Sequence, residues 1–296
     1  MIVINAKPFL KWAGGKSQIL REIEKFYPER IEKYCEPFVG GGAVLFDILA
    51  KFQPKEVLIN DINPELTNTY YQIKNNVEDV IYILEFLQNK YLLGNQEERK
   101  SFFLENRKRF NELIKNTTDK AEKAEKAALM IYLNKTCFNG LYRVNSKGFY
   151  NVPSGVYKNP LICDHKNLRT VSAVLQSVQI KTGSYQQTQN FIDDKTFVYI
   201  DPPYRPLTES ASFTAYSKDG FDDEKQVELS NFVSKIHGKG AKVLLSNSDP
   251  KNSNKDDNFF DDLYRNFDIY RVQASRMINS NASGRGAITE LMITCF

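Results

Sequence analysis

Seven short apolar runs, most of them separated by stretches with helical spacing, constrain the fold more than any other feature of the chain. They are "YCEPFV", ending at Val39, "EVLIN" at 56–60, "VQIKT" at 178–182, "TFVYI" at 196–200, "AKVLLS" at 241–246, "FDIYRVQA" at 267–274 and "ITELMIT" at 288–294. Runs this apolar, alternating with helices, predict a mostly parallel sheet buried on both faces, hence an α/β fold with seven strands.

Between Pro64 and about Asp164 the texture changes. Three long helical patterns follow one another: "PELTNTYYQIKNNVEDVIYILEFLQNKYL", "QEERKSFFLENRKRFNELIK" and "KAEKAALMIYLNKTCF". The Gly/Asn/Ser-rich stretch "NGLYRVNSKGFYNVPSGVYKNP" predicts a hairpin, with turns at Ser146-Lys147-Gly148 and Pro153-Ser154-Gly155. The simplest organisation is an α/β domain made of residues 1–63 and 165–296, interrupted by a helical insert at 64–164 with its hairpin at about 138–158. The polar stretches 246–258 and 279–286 read as surface loops.

Composition narrows the class. A chain of 296 residues that is 42% hydrophobic has enough apolar material for a substantial core. Its formal charge is only +4, yet Lys90–Lys147 alone holds 13 basic and 7 acidic residues. Such a concentration fits a polyanionic partner. The interleaving in "DKAEKAEKAALM" equally fits a solvated helical surface. Cys35, Cys137, Cys163 and Cys295 are far apart, with no CxxC, which argues for a reducing compartment and against structural zinc. No run of 18 apolar residues and no leader pattern occurs, so the expectation is a soluble cytoplasmic protein, monomeric by default, with no membrane contact.

Three strings carry candidate chemistry. "FLKWAGGKSQIL" contains Gly15-Lys16-Ser17, but a phosphate-binding loop needs a glycine at position 10, where Leu10 stands. "EPFVGGGAVLF" places Gly40, Gly41 and Gly42 between a strand and a helix, where a cofactor can approach the backbone closely. It lacks the full GxGxxG spacing of a dinucleotide site. "LINDIN" puts Asp61 at the end of the next strand, suited to ribose hydroxyls. "VYIDPPYRP" puts Asp201 at a strand end, followed by two prolines that stiffen the chain and then by Tyr204. A carboxylate at Asp201 and the carbonyl of Pro202 can accept both hydrogens of an exocyclic amine, while Tyr204 stacks on the attached ring.

This ordered set resembles the DNA adenine N6-methyltransferases of the Dam and DpnM type, the D12 class, in which "FLKWAGGK" comes first, "EPFVGGG" second and "DPPY" third. The likeness extends through "FNGLYRVNSKGFYNVP" and covers nearly the whole chain. It implies a methyltransferase α/β sandwich with an antiparallel last strand, and a target-recognition domain at the insert. It further implies S-adenosylmethionine as methyl donor, no metal, and double-stranded DNA as partner. By the same likeness Trp12, Lys16, Phe38, Gly40, Gly42, Asp61, Tyr185 and Asp201 meet the methyl donor. Asp201, Pro202, Pro203 and Tyr204 hold the flipped adenine. Lys11, Phe138, Asn139, Leu141, Arg143 and Pro153 face DNA, with Phe138 as a candidate wedge and Arg143 as a guanine reader at GATC. Val156 stands where many members carry Arg, and the 250–258 loop is longer. The alternatives are an amino-methyltransferase acting on cytosine N4 or RNA, a non-catalytic DNA-binding protein, and an NTPase, which Leu10 disfavours.

Overall fold

The apolar runs become strands β1 (Lys33–Glu36), β2 (Glu56–Asp61), β3 (Val178–Thr182), β4 (Thr196–Ile200), β5 (Lys242–Ser248), β6 (Asp268–Ser275) and β7 (Ala287–Thr294). They form one seven-stranded sheet in the order β3-β2-β1-β4-β5-β7-β6 in a computed structural model that describes residues 5–117, 119–205, 221–275 and 287–296. β1 runs parallel to β2 and β4, and β4 parallel to β5. β7 is antiparallel to both β5 and β6. All five residues of β4 are buried, as the apolar run 197–200 requires.

Two strand limits differ from the sequence expectation by more than one residue, each for a backbone reason. β1 stops at Glu36 rather than Val39, because Pro37 has no N–H to give to a ladder. β5 continues past Ser246 to Ser248, because antiparallel pairing of Asn247 with Leu291 and Ser248 with Glu290 outlasts the parallel ladder to β4.

The helices are α1 (Leu20–Ile23), α2 (Ala43–Lys51), α3 (Pro64–Leu93), α4 (Gln96–Asn116), α5 (Lys120–Thr136), α6 (His165–Leu175), α7 (Asp223–His237) and α8 (Phe259–Leu263). Capping explains the starts of the long ones. Asn63 accepts from the Glu65 and Leu66 amides with Pro64 at the first position of α3. Asn95 and Glu98 form a capping box on α4, and Asp119 caps α5. α3 is broken locally at Asn76, whose φ of −143° leaves the helical region. No helix among the described residues is long and apolar enough to cross a membrane.

The chain divides into two compact units. The first comprises Met1–Gly15, Gly40–Lys51 and Asn60–Ser184. Its core joins Leu66, Tyr70, Ile73 and Leu84 of α3, Phe103 and Phe110 of α4, Ala127, Ile131 and Tyr132 of α5, and Val171 and Leu175 of α6, all fully or almost fully buried. The second comprises Lys16–Val39, Phe52–Ile59 and Tyr185–Phe296. Its core gathers Cys35, Leu58, Val198, Ile200, Val243, Leu245, Leu291 and Ile293 from the strands, with Leu229, Phe232, Val233 and Ile236 of α7.

The hairpin turn at Ser146–Gly148 is present: Gly148 donates to the Asn145 carbonyl at 2.8 Å, and Val144 bridges Tyr150. Pro153–Gly155 is not a turn. Ser154 bridges Cys137, and Gly155 donates to the Thr136 carbonyl at 2.8 Å. The end of α5 leaves carbonyls without helical donors, and this extended segment supplies one. Part of the 246–258 stretch is ordered structure rather than loop: Pro250–Asn252 is a 3-10 helix, and Asp249 is buried. The 279–286 stretch lies outside the described residues.

Candidate active site

In the first unit, β2 delivers Asp61 as its last residue. One carboxylate oxygen accepts the Gly40 N–H at 3.1 Å and the other the Asn63 N–H at 2.9 Å. Burial raises the pKa of Asp61, and these amides offset part of that shift. The glycines beside it are required by geometry. Gly42 has φ of +73°, and a Cβ there would lie 2.5 Å from the Tyr70 hydroxyl. That hydroxyl donates to the Gly40 carbonyl at 3.1 Å. Gly42→Ala is therefore expected to destabilise the protein by about 1–3 kcal/mol from backbone strain. The check is the denaturation midpoint, and an unchanged midpoint would contradict this packing.

Trp12 lies against the same loop: a Cβ on Gly40 would come within 2.8 Å of its indole Cδ1. Tyr142 stacks on that indole, with ring centroids 5.7 Å apart.

In the second unit, β4 ends at Ile200 and Asp201 follows. Its Oδ1 is 2.7 Å from Lys16 Nζ and accepts the Ser246 hydroxyl at 3.0 Å. Burial raises the Asp201 pKa above the ordinary carboxylate value, and Lys16 and Ser246 counter this only in part. Lys16 is itself buried, and its ammonium sits 4.5 Å from the Tyr204 ring centroid. The Pro203 carbonyl accepts Gln226 Nε2 at 3.2 Å, and Asn247 braces Gln226 at 3.2 Å. No described residue donates to the Pro202 carbonyl. The segment thus presents a carboxylate, a carbonyl and an aromatic face, a set that matches the two N–H donors and the π-face of an aminated base.

Phe38 and Tyr185 stack in the same unit, with centroids 5.2 Å apart and planes at 30°. Phe232 meets Tyr185 edge-on at 5.1 Å. The Tyr185 hydroxyl is buried with no hydrogen-bond partner among the described residues, and burial pushes its pKa up to about 12.

The residues expected to face DNA belong to the first unit. Phe138, Asn139, Arg143 and Pro153 are exposed and Leu141 is half-buried. Asn139 and Gly140 both take left-handed φ, +55° and +65°. Asn134 ties this corner to Lys11: it accepts the Lys11 N–H at 2.8 Å and donates to the carbonyls of Lys11 at 2.7 Å and Gly140 at 2.9 Å. Arg143 Nε donates to Asn151 Oδ1 across the hairpin at 2.8 Å.

Several participants escaped the sequence reading. Asn134 is a buried amide in the apolar run "ALMIYLNKT", and Glu290 an acid in the apolar strand "ITELMIT". Both were visible as polar residues in places that exclude them unless they are partnered. Ser246, Asn247 and Gln226 carried no such signal.

Residues 12–278 match the family described as D12 class N6 adenine-specific DNA methyltransferase. The chain is 47% identical over 296 residues to "Type II methyltransferase M.MjaIII" of Methanocaldococcus jannaschii, covering 98% of this chain and 99% of that one. It is 39% identical to "Type II methyltransferase M1.LlaDCHI" of Lactococcus lactis subsp. cremoris, over 98% and 96% of the two chains. It is 33% identical to a "DNA adenine methylase" of Vibrio cholerae, over 97% and 95%. With the sheet order, the glycine loop and the Asp-Pro-Pro-Tyr segment in place, the chain belongs to the D12 class of N6 adenine-specific DNA methyltransferases.

Proposed function

We propose that this chain methylates adenine N6 in double-stranded DNA at GATC, with S-adenosylmethionine as donor, by base flipping and direct in-line transfer without a metal. The observation that carries this is the Asp201 carboxylate at the end of β4, held by Lys16 and Ser246 next to the Tyr204 ring.

The residues present fit such a donor. In the first unit Asp61 offers two carboxylate oxygens for vicinal hydroxyls beside Gly40 and the Trp12 indole; in the second, Phe38 with Tyr185 offers stacked rings and a buried hydroxyl with no partner among the described residues. Trp12 and Lys16 belong to the same set by family likeness. When bound, S-adenosylmethionine supplies a methyl carbon activated by a sulfonium leaving group.

The chain's own part is alignment and hydrogen-bond acceptance. Asp201 and the Pro202 carbonyl accept the two N6 hydrogens and direct the nitrogen lone pair. Pro203 keeps the segment extended, and Tyr204 stacks on the ring. The amine sheds one proton on methylation, and Asp201, whose proton affinity burial raises, is the acceptor. A paired base cannot reach this segment, so it leaves the helix at a cost of a few kcal/mol. Phe138, exposed at the hairpin corner, takes the vacated place, and Asn139 lies beside it. Arg143 reads guanine, Leu141 and Pro153 meet thymine methyls, and Lys11 reaches a second guanine. Residues 64–164 serve as the target-recognition domain and residues 1–63 with 165–296 as the catalytic one.

The test is product analysis. Duplex DNA incubated with the protein, S-adenosylmethionine and EDTA is expected to yield N6-methyladenine on digestion and mass spectrometry. N4-methylcytosine alone, or no product, would overturn the proposal.

A further inference from the structure

A stacking platform works best if its ring is held in one place before the base arrives. The backbone around Tyr204 is fixed at several points. Gln226 holds the Pro203 carbonyl at 3.2 Å, and Ser248 Oγ holds the Arg205 carbonyl at 3.0 Å. Neither contact fixes the ring. The group that does is Glu290, whose Oε2 accepts the Tyr204 hydroxyl at 2.7 Å. That length is ordinary for a hydroxyl donating to an oxygen acceptor.

Glu290 is well placed to hold something still. It sits in β7, opposite Ser248 of β5 and Val272 of β6, so two antiparallel ladders set its backbone position. It precedes Leu291, Met292 and Ile293, which are fully buried, while Glu290 itself is half-buried. An acid in this half-buried place costs stability unless it is hydrogen-bonded, and its partner is the Tyr204 hydroxyl. Its partner in sequence terms is remote, 86 residues away, and lies in the Asp-Pro-Pro-Tyr segment. Lys16, which bridges Asp201 and the Tyr204 ring, adds a second constraint on the ring.

We propose that Glu290 is a positioning residue for methyl transfer: by holding the Tyr204 hydroxyl from a β-strand it fixes where the ring axis lies, and with it the surface on which the target adenine stacks. The proposal rests on the reading of Tyr204 as the stacking surface. Without Glu290 the ring swings about its Cα–Cβ bond, and the base loses a fixed partner at the moment of transfer. Binding of the methyl donor at Asp61 and the glycine loop does not involve this hydrogen bond.

The experiment compares wild type with Glu290→Leu, Glu290→Gln, Tyr204→Phe, Tyr204→Ala and the double variant Glu290→Leu/Tyr204→Phe. Single-turnover methylation, donor affinity by calorimetry and emission of 2-aminopurine at the target position are read for each. Glu290→Leu and Tyr204→Phe are each expected to slow transfer about 10- to 100-fold, the worth of a hydrogen bond to a charged group. Glu290→Gln keeps an acceptor oxygen in place and is expected to recover most of the rate. The double variant is expected to be no slower than the slower single one, because both remove the same interaction. Donor affinity stays at the wild-type value in Glu290→Leu and Glu290→Gln, and the 2-aminopurine emission changes in Glu290→Leu but not in Glu290→Gln.

Multiplying losses in the double variant would overturn the proposal. A wild-type rate in Glu290→Leu, with Tyr204→Ala slowed, would overturn the role of Glu290 alone. A wild-type rate in Tyr204→Ala would instead overturn the stacking role beneath it. Should Glu290→Leu not fold, Tyr204→Phe removes the same hydrogen bond without touching β7, and a wild-type rate there overturns the proposal.

Discussion

Asp201→Ala is expected to lower the methylation rate by about 10²–10³-fold or more, the loss seen when a preorganised polar group at a reacting centre is removed. Affinity for duplex DNA is expected to stay close to wild type, because the residues proposed to face DNA lie on the hairpin and at Lys11. The carboxylate is the group on which Lys16 and the Ser246 hydroxyl converge. Its removal takes away the acceptor for the amine and leaves a buried ammonium without its carboxylate. The same group sets a pH dependence. Burial raises the Asp201 pKa, so the carboxylate takes up its proton at a higher pH than an ordinary aspartate. The protonated form is a weaker acceptor, so the single-turnover rate is expected to fall as pH is lowered into that range. Single-turnover kinetics and a DNA titration on one preparation check all three points, and wild-type turnover in the variant would remove Asp201 from the chemistry.

Arg143→Ala is expected to cost about 1–3 kcal/mol, or roughly 5- to 150-fold in transfer efficiency on GATC, and to relax discrimination at one base pair. A guanidinium donates two hydrogen bonds to O6 and N7 of guanine, a pattern that no other base offers in the major groove. In the structure Arg143 is exposed, and its Nε is held by Asn151 Oδ1 at 2.8 Å. That bond uses one donor and orients the terminal nitrogens without occupying them. The comparison needs GATC and each single-base variant of it. Equal losses on all of them would make Arg143 a phosphate contact, because phosphates are the same in every sequence. Methylation of unrelated sites by the wild-type protein would remove GATC itself.

The chain's strand runs were legible because β4 is buried along its whole length and β2 and β5 carry the unbroken apolar cores 57–59 and 243–245, which a parallel sheet buried on both faces demands. The long helices were legible from spacing and from the caps Asn63, Asn95 and Asp119 at their starts. Missed boundaries fell where long-range pairing overrode local pattern. β5 was lengthened by β7, and Ser154 was drawn straight by Cys137. The kink at Asn76 is of another kind: its side chain donates to Gln72 Oε1 at 2.8 Å, a local bond that no helical periodicity announces.

The same division runs through the site. The reactive groups were legible from neighbouring residues: a carboxylate at a strand end, two prolines, an aromatic ring, a glycine loop and an acid on the following strand. These are local matters of backbone freedom and donor chemistry, carried by neighbouring residues. Tertiary structure alone decided what holds them. Ser246 reaches Asp201 from 45 residues away, Gln226 reaches Pro203 from 23 and Glu290 reaches Tyr204 from 86. Strand register and helix packing create those meetings, and each pairs two groups whose own surroundings in the sequence carry no trace of the other.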